Sequence, residues 1–329
     1  MGYALMSVDK TSMTIFRDTA RAGILAGIEK GWSGYVWLLK ILIPISFLTV
    51  LLDYSGLIQQ MDFLLAPVMK LINMPAAAAI PLVVGMLTGI YGGIAAMIVL
   101  PFSINQMTLI AIFLLISHNL IQEGMVQGRS GLSPLKATVI RLVASIVTVI
   151  AVAQFMDLQP DVSTAVAFYP QVQKTLWEVI QKWGISTFFL IIKIFLIVMA
   201  LMIALCLMKA FDIIPFLVKI LKPFLKIMGL DERVGLLWLT AVVFGIAYGA
   251  AVIVEESKEG NFSAEELERL HISIGINHSM VEDPTLFASL GLSAFWLWIP
   301  RVITAIVAVY LFNIWKKWLD RGNRPVSPI

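Results

Sequence analysis

The feature that most constrains this chain is a series of long apolar segments. They cover residues 33–52, 75–101, 106–122, 135–156, 184–208, 234–254, 270–281 and 292–314. A helix needs about 20 apolar residues to cross the hydrocarbon core of a bilayer, and most of these segments reach that length. The sequence therefore predicts an all-α polytopic membrane protein.

Composition supports this class and excludes others. Hydrophobic residues make up 59% of the 329 residues and charged residues 14%, whereas a soluble domain has about 25% charged residues. The net charge is +3, and the basic residues lie at the edges of apolar segments, so nucleic acid is not an expected partner. The single cysteine, Cys206, lies within an apolar segment, which excludes an internal disulfide and a cysteine metal cluster.

Three segments mix apolar residues with charges and are predicted to lie in the membrane interface. The first is an N-terminal interfacial helix within residues 1–31, followed by an aromatic belt at Trp32 and Trp37. The others are 57–73 and 211–229, which have prolines at matching positions, Pro67 and Pro223. Residues 1–11 lack a continuous apolar core, so no cleavable signal peptide is expected.

Identical residues recur at a fixed spacing, which predicts an internal repeat. At an offset of 156 residues, Gly89 matches Gly245 and Gly93 matches Gly249. Beyond residues 258–268 the offset becomes 160, and at this offset Gly-Leu-Ser occurs at both 131–133 and 291–293. Chance explains matching leucines between membrane segments, but not these residues. We predict repeat 1 at 32–157, a linker at 158–182, repeat 2 at 183–316 and a basic cytoplasmic tail at 317–329.

The distribution of basic residues favours inverted repeats. If 75–101 and 234–254 cross fully, each repeat has four spans, and the lysine-rich segment 209–233 falls outside. If each is a re-entrant hairpin, each repeat has about three spans, and all basic segments fall in the cytoplasm, as the positive-inside rule requires. Each repeat would then contain transmembrane helices, an amphipathic interfacial helix and a glycine-rich broken helix or hairpin, with both termini cytoplasmic.

The glycine-rich segments themselves allow two interpretations. Small residues spaced four apart permit close helix packing, whereas a broken helix can expose backbone groups to a cavity. The residues concerned are Gly89, Gly92, Gly93, Gly245 and Gly249.

Two polar motifs occupy equivalent places in apolar segments. They supply the candidate site residues Ser117, His118, Asn119, Gln122, Glu123, Asn277, His278, Ser279, Glu282 and Asp283. Ionisable groups in a membrane segment cost about 2.5–3.5 kcal/mol each, so they normally face a partner or cavity. On a continuous helix each histidine would stack over the residue four positions later.

Three interpretations of these motifs remain open. They can meet near a pseudo-two-fold axis and bind a substrate or ion, with histidine as proton carrier. Glu123 and Asp283 can instead lie in the interface and pair with Arg141 and Arg301. Histidine and carboxylate side chains can also bind a divalent metal ion, but we do not include a metal ion in the predicted site. His271 has no equivalent and is predicted to be interfacial.

At these residues the chain resembles the nucleoside recognition, or Gate, domain membrane proteins, which include spore maturation proteins A and B. The resemblance rests on the glycine segments around Gly89 and Gly245 and on the motifs at 117–123 and 277–283, as if two Gate units were fused. It implies a protein of the bacterial inner membrane whose substrate contacts come from hairpins and broken helices. The family name suggests a nucleoside-like substrate.

We therefore expect a secondary transporter for a small polar solute, with proton coupling through His118 and His278. The alternatives are a non-transporting subunit that binds a ligand or partner protein, and a divalent metal ion transporter. No enzyme is expected, because the chain has neither G-x-S-x-G nor H-E-x-x-H. We expect no cofactor; the partners are the solute or ion and the lipid bilayer, and the sequence also allows a homodimer.

Overall fold

The computed structural model describes residues 2–57, 62–156, 175–259 and 262–322, and this part of the chain contains helices and turns but no strand. The helices of the first half are α1 Gly2–Tyr54, α2 Asp62–Leu71, α3 Ala79–Thr88, α4 Ile90–Met97, α5 Ile104–Ser117, α6 Leu120–Arg129 and α7 Pro134–Ala153. Those of the second half are α8 Leu176–Ala210, α9 Ile213–Ile227, α10 Gly235–Glu259, α11 Ala264–Asn277, α12 Glu282–Ser289 and α13 Ala294–Gly322.

Four segments are long and apolar enough to cross a bilayer: Ile104–Arg129, Pro134–Ala153, Leu176–Ala210 and Ala294–Trp318. The all-α membrane class is thereby confirmed. Many large apolar side chains on these segments face outward, as lipid contact requires, and Leu135, Phe189 and Trp318 are among the most exposed.

Several predicted boundaries differ from the helix ends. Helix α1 continues through residue 31, so the predicted interfacial segment and the first apolar segment form one helix. Most of the predicted linker lies outside the described residues, and its last part belongs to α8, which begins at Leu176 after a capping box between Thr175 and Glu178. The predicted amphipathic segments contain α2 and α9, with Pro67 and Pro223 inside them.

Helices α1 and α8 pack against each other in an antiparallel pair. Gly23 faces Leu207 and Gly31 faces Met199, and a Cβ atom added to Gly27 would lie only 2.5 Å from the Ile203 Cα. Three glycines spaced four residues apart thus let the two backbones approach closely, which is the main means of helix association in a membrane.

The helix is interrupted in both glycine-rich segments. Gly89 separates α3 from α4 with a φ of +95°, and Gly245 interrupts α10 with a φ of +79°. A Cβ on Gly85 would lie 3.3 Å from the Gly93 Cα, so α3 and α4 fold back on each other. Close packing and a break therefore coexist in one hairpin. The depth of these hairpins in the bilayer stays a prediction.

The close approach of α1 and α8 predicts a specific effect of bulk at Gly27. Gly27→Leu should lower the melting temperature of the detergent-purified protein, because overpacking typically costs about 1–3 kcal/mol. Gly34→Leu is the matched control on the same helix, since a Cβ there meets no atom within 4 Å. Equal melting temperatures for the two variants would contradict this packing.

Candidate functional site

The two histidine motifs lie where helices break. Helix α5 ends at Ser117 and His118 is extended, with φ −76° and ψ 161°; helix α11 ends at Asn277 and His278 is extended in the same way, with φ −77° and ψ 166°. The prediction that each histidine stacks over the residue four positions later on one helix is therefore wrong. The helix stops at the histidine, and the next residue, Asn119 or Ser279, has a positive φ.

The hairpins hold these breaks in place by backbone hydrogen bonds. The N–H of Asn119 donates to the Gly85 carbonyl at 3.0 Å, and the N–H of Ser279 donates to the Ala241 carbonyl at 2.9 Å. The four residues form two repeat-equivalent pairs. Each hairpin thus satisfies a donor that has no helical partner, which lipid could not do.

Two buried arginines satisfy the carbonyl groups at the same helix ends. Arg141 donates to the carbonyls of Ile116 and His118, each at 2.7 Å. Arg301 donates to the Ile276 carbonyl at 3.2 Å and to the His278 carbonyl at 2.7 Å. The last carbonyls of a helix lack intrahelical partners, so each arginine acts as a C-terminal cap inside the protein.

Of the two arginines predicted as charge partners, one lies within ion-pair distance of a carboxylate. Arg141 Nη1 lies 2.7 Å from Glu123 Oε2, and both side chains are buried. Within the described residues, no ion pair forms between Arg301 and Asp283. The interface interpretation places Glu123 and Asp283 in the membrane interface, but both side chains are buried inside the protein.

The motifs of the two halves meet in one cluster. The His118 and His278 rings have centroids 4.9 Å apart, and their Nε2 atoms are separated by 3.4 Å. Glu123 Oε1 lies 3.4 Å from His118 Nε2, and Glu123 Oε2 lies 3.2 Å from His278 Nε2. Asp283 Oδ2 is 3.4 Å from His118 Nε2. We call these four residues the histidine cluster.

The tautomer of each histidine follows from its other ring nitrogen. Nδ1 of His118 is 2.9 Å from the Leu114 carbonyl oxygen, and Nδ1 of His278 is 3.0 Å from the Ile274 carbonyl oxygen. A carbonyl only accepts hydrogen bonds, so each Nδ1 carries a hydrogen. In the neutral rings both Nε2 lone pairs therefore point into the cluster.

The other buried residues predicted for the site are Ser117, Asn277, Ser279 and Glu282. Ser117 donates to the Arg141 carbonyl at 3.0 Å. Asn277 is buried, and its Oδ1 has no hydrogen-bond partner within the described part of the chain. Ser279 contributes its backbone N–H to the hairpin contact. Glu282 accepts a hydrogen bond from the Tyr91 hydroxyl.

Asn119 and Gln122 face away from the cluster. They hydrogen-bond to each other at 3.2 Å and line a groove of about 760 Å³. The remaining lining residues come from α3, α6 and the end of α10: Leu87, Ile121, Met125, Val126, Arg129, Val254, Glu255 and Lys258. The glycines are not part of this lining and act through the hairpin backbone.

Two polar residues, Tyr91 and Gln127, were not identified from the sequence, and the location predicted for His271 was wrong. Tyr91 could have been found, because it is a polar aromatic residue within the first glycine segment. Gln127 could not, since its partner, the His271 carbonyl at 2.9 Å, lies in the other half. His271 is not interfacial as predicted: it is 1% exposed, and its Nε2 lies 2.8 Å from the Ser130 carbonyl oxygen.

Comparison with known proteins supports the resemblance seen in the sequence. Residues 35–156 match the Gate family model, described as nucleoside recognition. The chain is also similar to the uncharacterized membrane protein YvoD of Bacillus subtilis (strain 168), with 26% identity over 308 residues that cover 90% of this chain and 95% of that protein. No solved structure matches.

The buried contact between Arg141 and Glu123 predicts a large loss of stability on truncation. Arg141→Leu should lower the free energy of unfolding by about 3–5 kcal/mol, because it leaves a buried carboxylate without its partner. The exposed Arg129→Leu on the preceding helix should change it by less than about 0.5 kcal/mol. Chemical denaturation in detergent measures both.

The double variant Arg141→Leu/Glu123→Leu separates charge from capping. It should recover part of the lost stability, because no charge then remains unpaired, while the carbonyl groups still lack their donor. If Arg141→Leu and Arg129→Leu are equally stable, the buried contact contributes nothing.

Proposed function

We propose that this Gate-domain membrane protein is a secondary transporter of the bacterial inner membrane that carries a small polar solute, nucleoside-like by resemblance, with proton coupling through His118 and His278. The observation that carries the proposal is the meeting of the two equivalent histidines in a buried ionisable cluster. Burying such groups in a membrane segment is costly, and they are kept where ions or substrates pass.

The ion pairs at one end of the molecule support inverted repeats. Lys136 at the start of α7 lies 2.8 Å from Glu268 near the start of α11, and Lys316 near the end of α13 lies 4.0 Å from the same carboxylate. Helices α7 and α13 are repeat equivalents, because each follows Gly-Leu-Ser. The start of one and the end of the other lie together, so the equivalents run in opposite directions.

The same end of the molecule is rich in basic residues, which supports a cytoplasmic position. Lys136 and Lys316 lie there with Arg233, which pairs with Glu266. The antiparallel contact between α1 and α8 brings Gly23 of α1 next to Ala210 at the end of α8, and Phe16 next to Phe211. The positive-inside rule then favours cytoplasmic N- and C-termini.

The buried charges in and around the histidine cluster favour a cation. Three carboxylates, Glu123, Glu282 and Asp283, and two guanidinium groups, Arg141 and Arg301, are buried. These five groups have a formal charge of −1 when both histidines are neutral. One proton neutralises this set of groups, and histidine is the side chain that exchanges a proton most readily near pH 7.

The groove is our proposed binding place for the solute. Its volume of about 760 Å³ lies in the range of about 300–1,000 Å³ that is usual for small-molecule sites. Asn119 and Gln122 line it, while their neighbours in sequence, His118 and Glu123, belong to the cluster. A solute that moves the start of α6 would therefore also move the histidine cluster.

Energy for transport has to come from a gradient or a partner protein in this proposal, because the sequence has no G-x-x-x-x-G-K-[ST] motif for ATP. A second candidate function is divalent metal ion transport, which one observation favours: ligand atoms of His118, Glu123 and His278 all lie within 4.8 Å of one another. A non-transporting subunit stays the alternative from another class.

Ligand-induced stabilisation of the purified protein tests the proposal. We expect one class among nucleosides, bases, amino acids and organic acids to raise the melting temperature, since a ligand at 100 times its dissociation constant stabilises by about 2.7 kcal/mol. Gln122→Trp should abolish this shift by filling the groove. Val143→Trp, at a 55% exposed position on α7, is the matched control.

Uptake of the identified solute into proteoliposomes then tests proton coupling. An imposed pH gradient should drive accumulation in wild type, and His118→Gln or His278→Gln should abolish the pH-driven part. If no library member shifts the melting temperature, or if Gln122→Trp responds like wild type, the transporter proposal fails and the partner-binding subunit becomes the better explanation.

A further inference from the structure

We infer that the histidine cluster is a binding site for one divalent transition-metal ion of the Zn²⁺ type, with His118, His278 and Glu123 as ligands and Asp283 beside His118. This inference stands on the geometry of the cluster and not on which solute the protein carries.

The ligand atoms of His118, His278 and Glu123 lie within 4.8 Å of one another, which suits a zinc site with three protein ligands and an open fourth position. Zn²⁺ binds imidazole nitrogen and carboxylate oxygen at about 2.0–2.2 Å, which places neighbouring tetrahedral ligands about 3.3–3.6 Å apart. His118 Nε2 lies 3.4 Å from His278 Nε2, 3.4 Å from Glu123 Oε1 and 3.4 Å from Asp283 Oδ2. The fourth distance, from His278 Nε2 to Glu123 Oε2, is 3.2 Å.

The second contact of each histidine is the one that metal-binding histidines make. Such a histidine donates its other ring N–H to a carboxylate, backbone carbonyl or water, which fixes the tautomer. Both Nδ1 atoms have a backbone carbonyl partner, at Leu114 and at Ile274. Two neutral Nε2 lone pairs then face each other and the carboxylate oxygens, an arrangement that is repulsive without a cation.

Glu123 is held toward both histidines, and Asp283 lies beside one of them. Asp283 is 5% exposed, and its Oδ2 accepts no hydrogen bond from any described residue, although it points at His118. Arg141 holds Glu123 from behind through Nη1 at 2.7 Å. A buried oxygen without a donor is costly, and a metal ion would satisfy it.

The kind of ligand determines the kind of ion. Two imidazole nitrogens favour Zn²⁺, Co²⁺ or Fe²⁺, whereas Mg²⁺ and Ca²⁺ prefer sites made of oxygen atoms alone. The two buried arginines oppose a second dication, so we expect one ion per chain. The alternative occupant is a single proton, and the test has to separate the two.

Co²⁺ binding to the chelator-treated, full-length protein tests the site. Co²⁺ in a tetrahedral site absorbs visible light far more strongly than six-coordinate Co²⁺, so the spectrum reports geometry as well as stoichiometry. We expect one Co²⁺ per chain with a tetrahedral spectrum, displaced by Zn²⁺ but not by Mg²⁺. His118→Gln and His278→Gln should each lower the affinity at least tenfold.

The matched control is His271→Gln, because His271 is the third buried histidine and lies outside the cluster with its Nε2 on the Ser130 carbonyl. This variant should bind Co²⁺ like wild type. If the cluster variants fail to fold, X-ray absorption of the wild-type Zn²⁺ form decides, and we expect scattering from two imidazole ligands.

Two results would overturn the inference. One is the absence of Co²⁺ and Zn²⁺ binding to the folded wild-type protein, which would leave the proton as the occupant. The other is equal Co²⁺ binding by wild type and His278→Gln. Neither result bears on the thermal-shift test of solute binding in the groove, so solute binding and metal binding fail separately. A metal ion held by His118 and His278 would, however, replace the proton coupling that the proposed function assigns to them.

Discussion

Two buried guanidinium groups make the rest of this structure possible. A helix that ends in the protein interior leaves carbonyl groups without intrahelical partners, and a buried polar group without a partner costs about 1–3 kcal/mol. Arg141 and Arg301 donate to these carbonyls at the ends of α5 and α11. The glycine hairpins supply the acceptors for the N–H groups that follow. Only with both kinds of partner can His118 and His278 leave their helices and turn toward each other.

The two halves share this framework but differ in what surrounds it. In the first half, Asn119 and Gln122 bond to each other and line an open groove. In the second half, the residue equivalent to Gln122 is Glu282, which is buried and bound by the Tyr91 hydroxyl from the other half. One motif thus faces an accessible surface while its equivalent is covered. Under the inverted arrangement that we propose, these two motifs would face opposite sides of the membrane.

How much of this structure the sequence predicts depends on how far apart in the chain the interacting residues are. Apolar length predicts the membrane class, and the recurrence of glycine, histidine and arginine at a fixed offset predicts that both halves carry a glycine break and a polar motif. Local rules failed at His118, because helix periodicity assumes a continuous helix and the break is stabilised from elsewhere in the chain. His271 was misplaced because the sequence shows its charged neighbours, Glu268 and Arg269, but not the Ser130 carbonyl 141 positions away.

The contact between His118 and His278 follows from symmetry as much as from chemistry. Under the inverted-repeat arrangement that we propose, two equivalent residues touch each other only close to the axis that relates the halves. His118 and His278 do so, and the Tyr35 hydroxyl likewise donates to the carbonyl of Ile191, 156 positions later. A histidine close to that axis occurs once in each repeat, so one duplicated motif supplies both imidazoles. The carboxylates of the two motifs differ: Glu123 contacts both histidines, whereas its equivalent Asp283 is shorter and approaches His118 alone among them. The duplicated motif thereby yields a site whose carboxylates are unequal, and an ion bound there would be held more firmly from the first half than from the second.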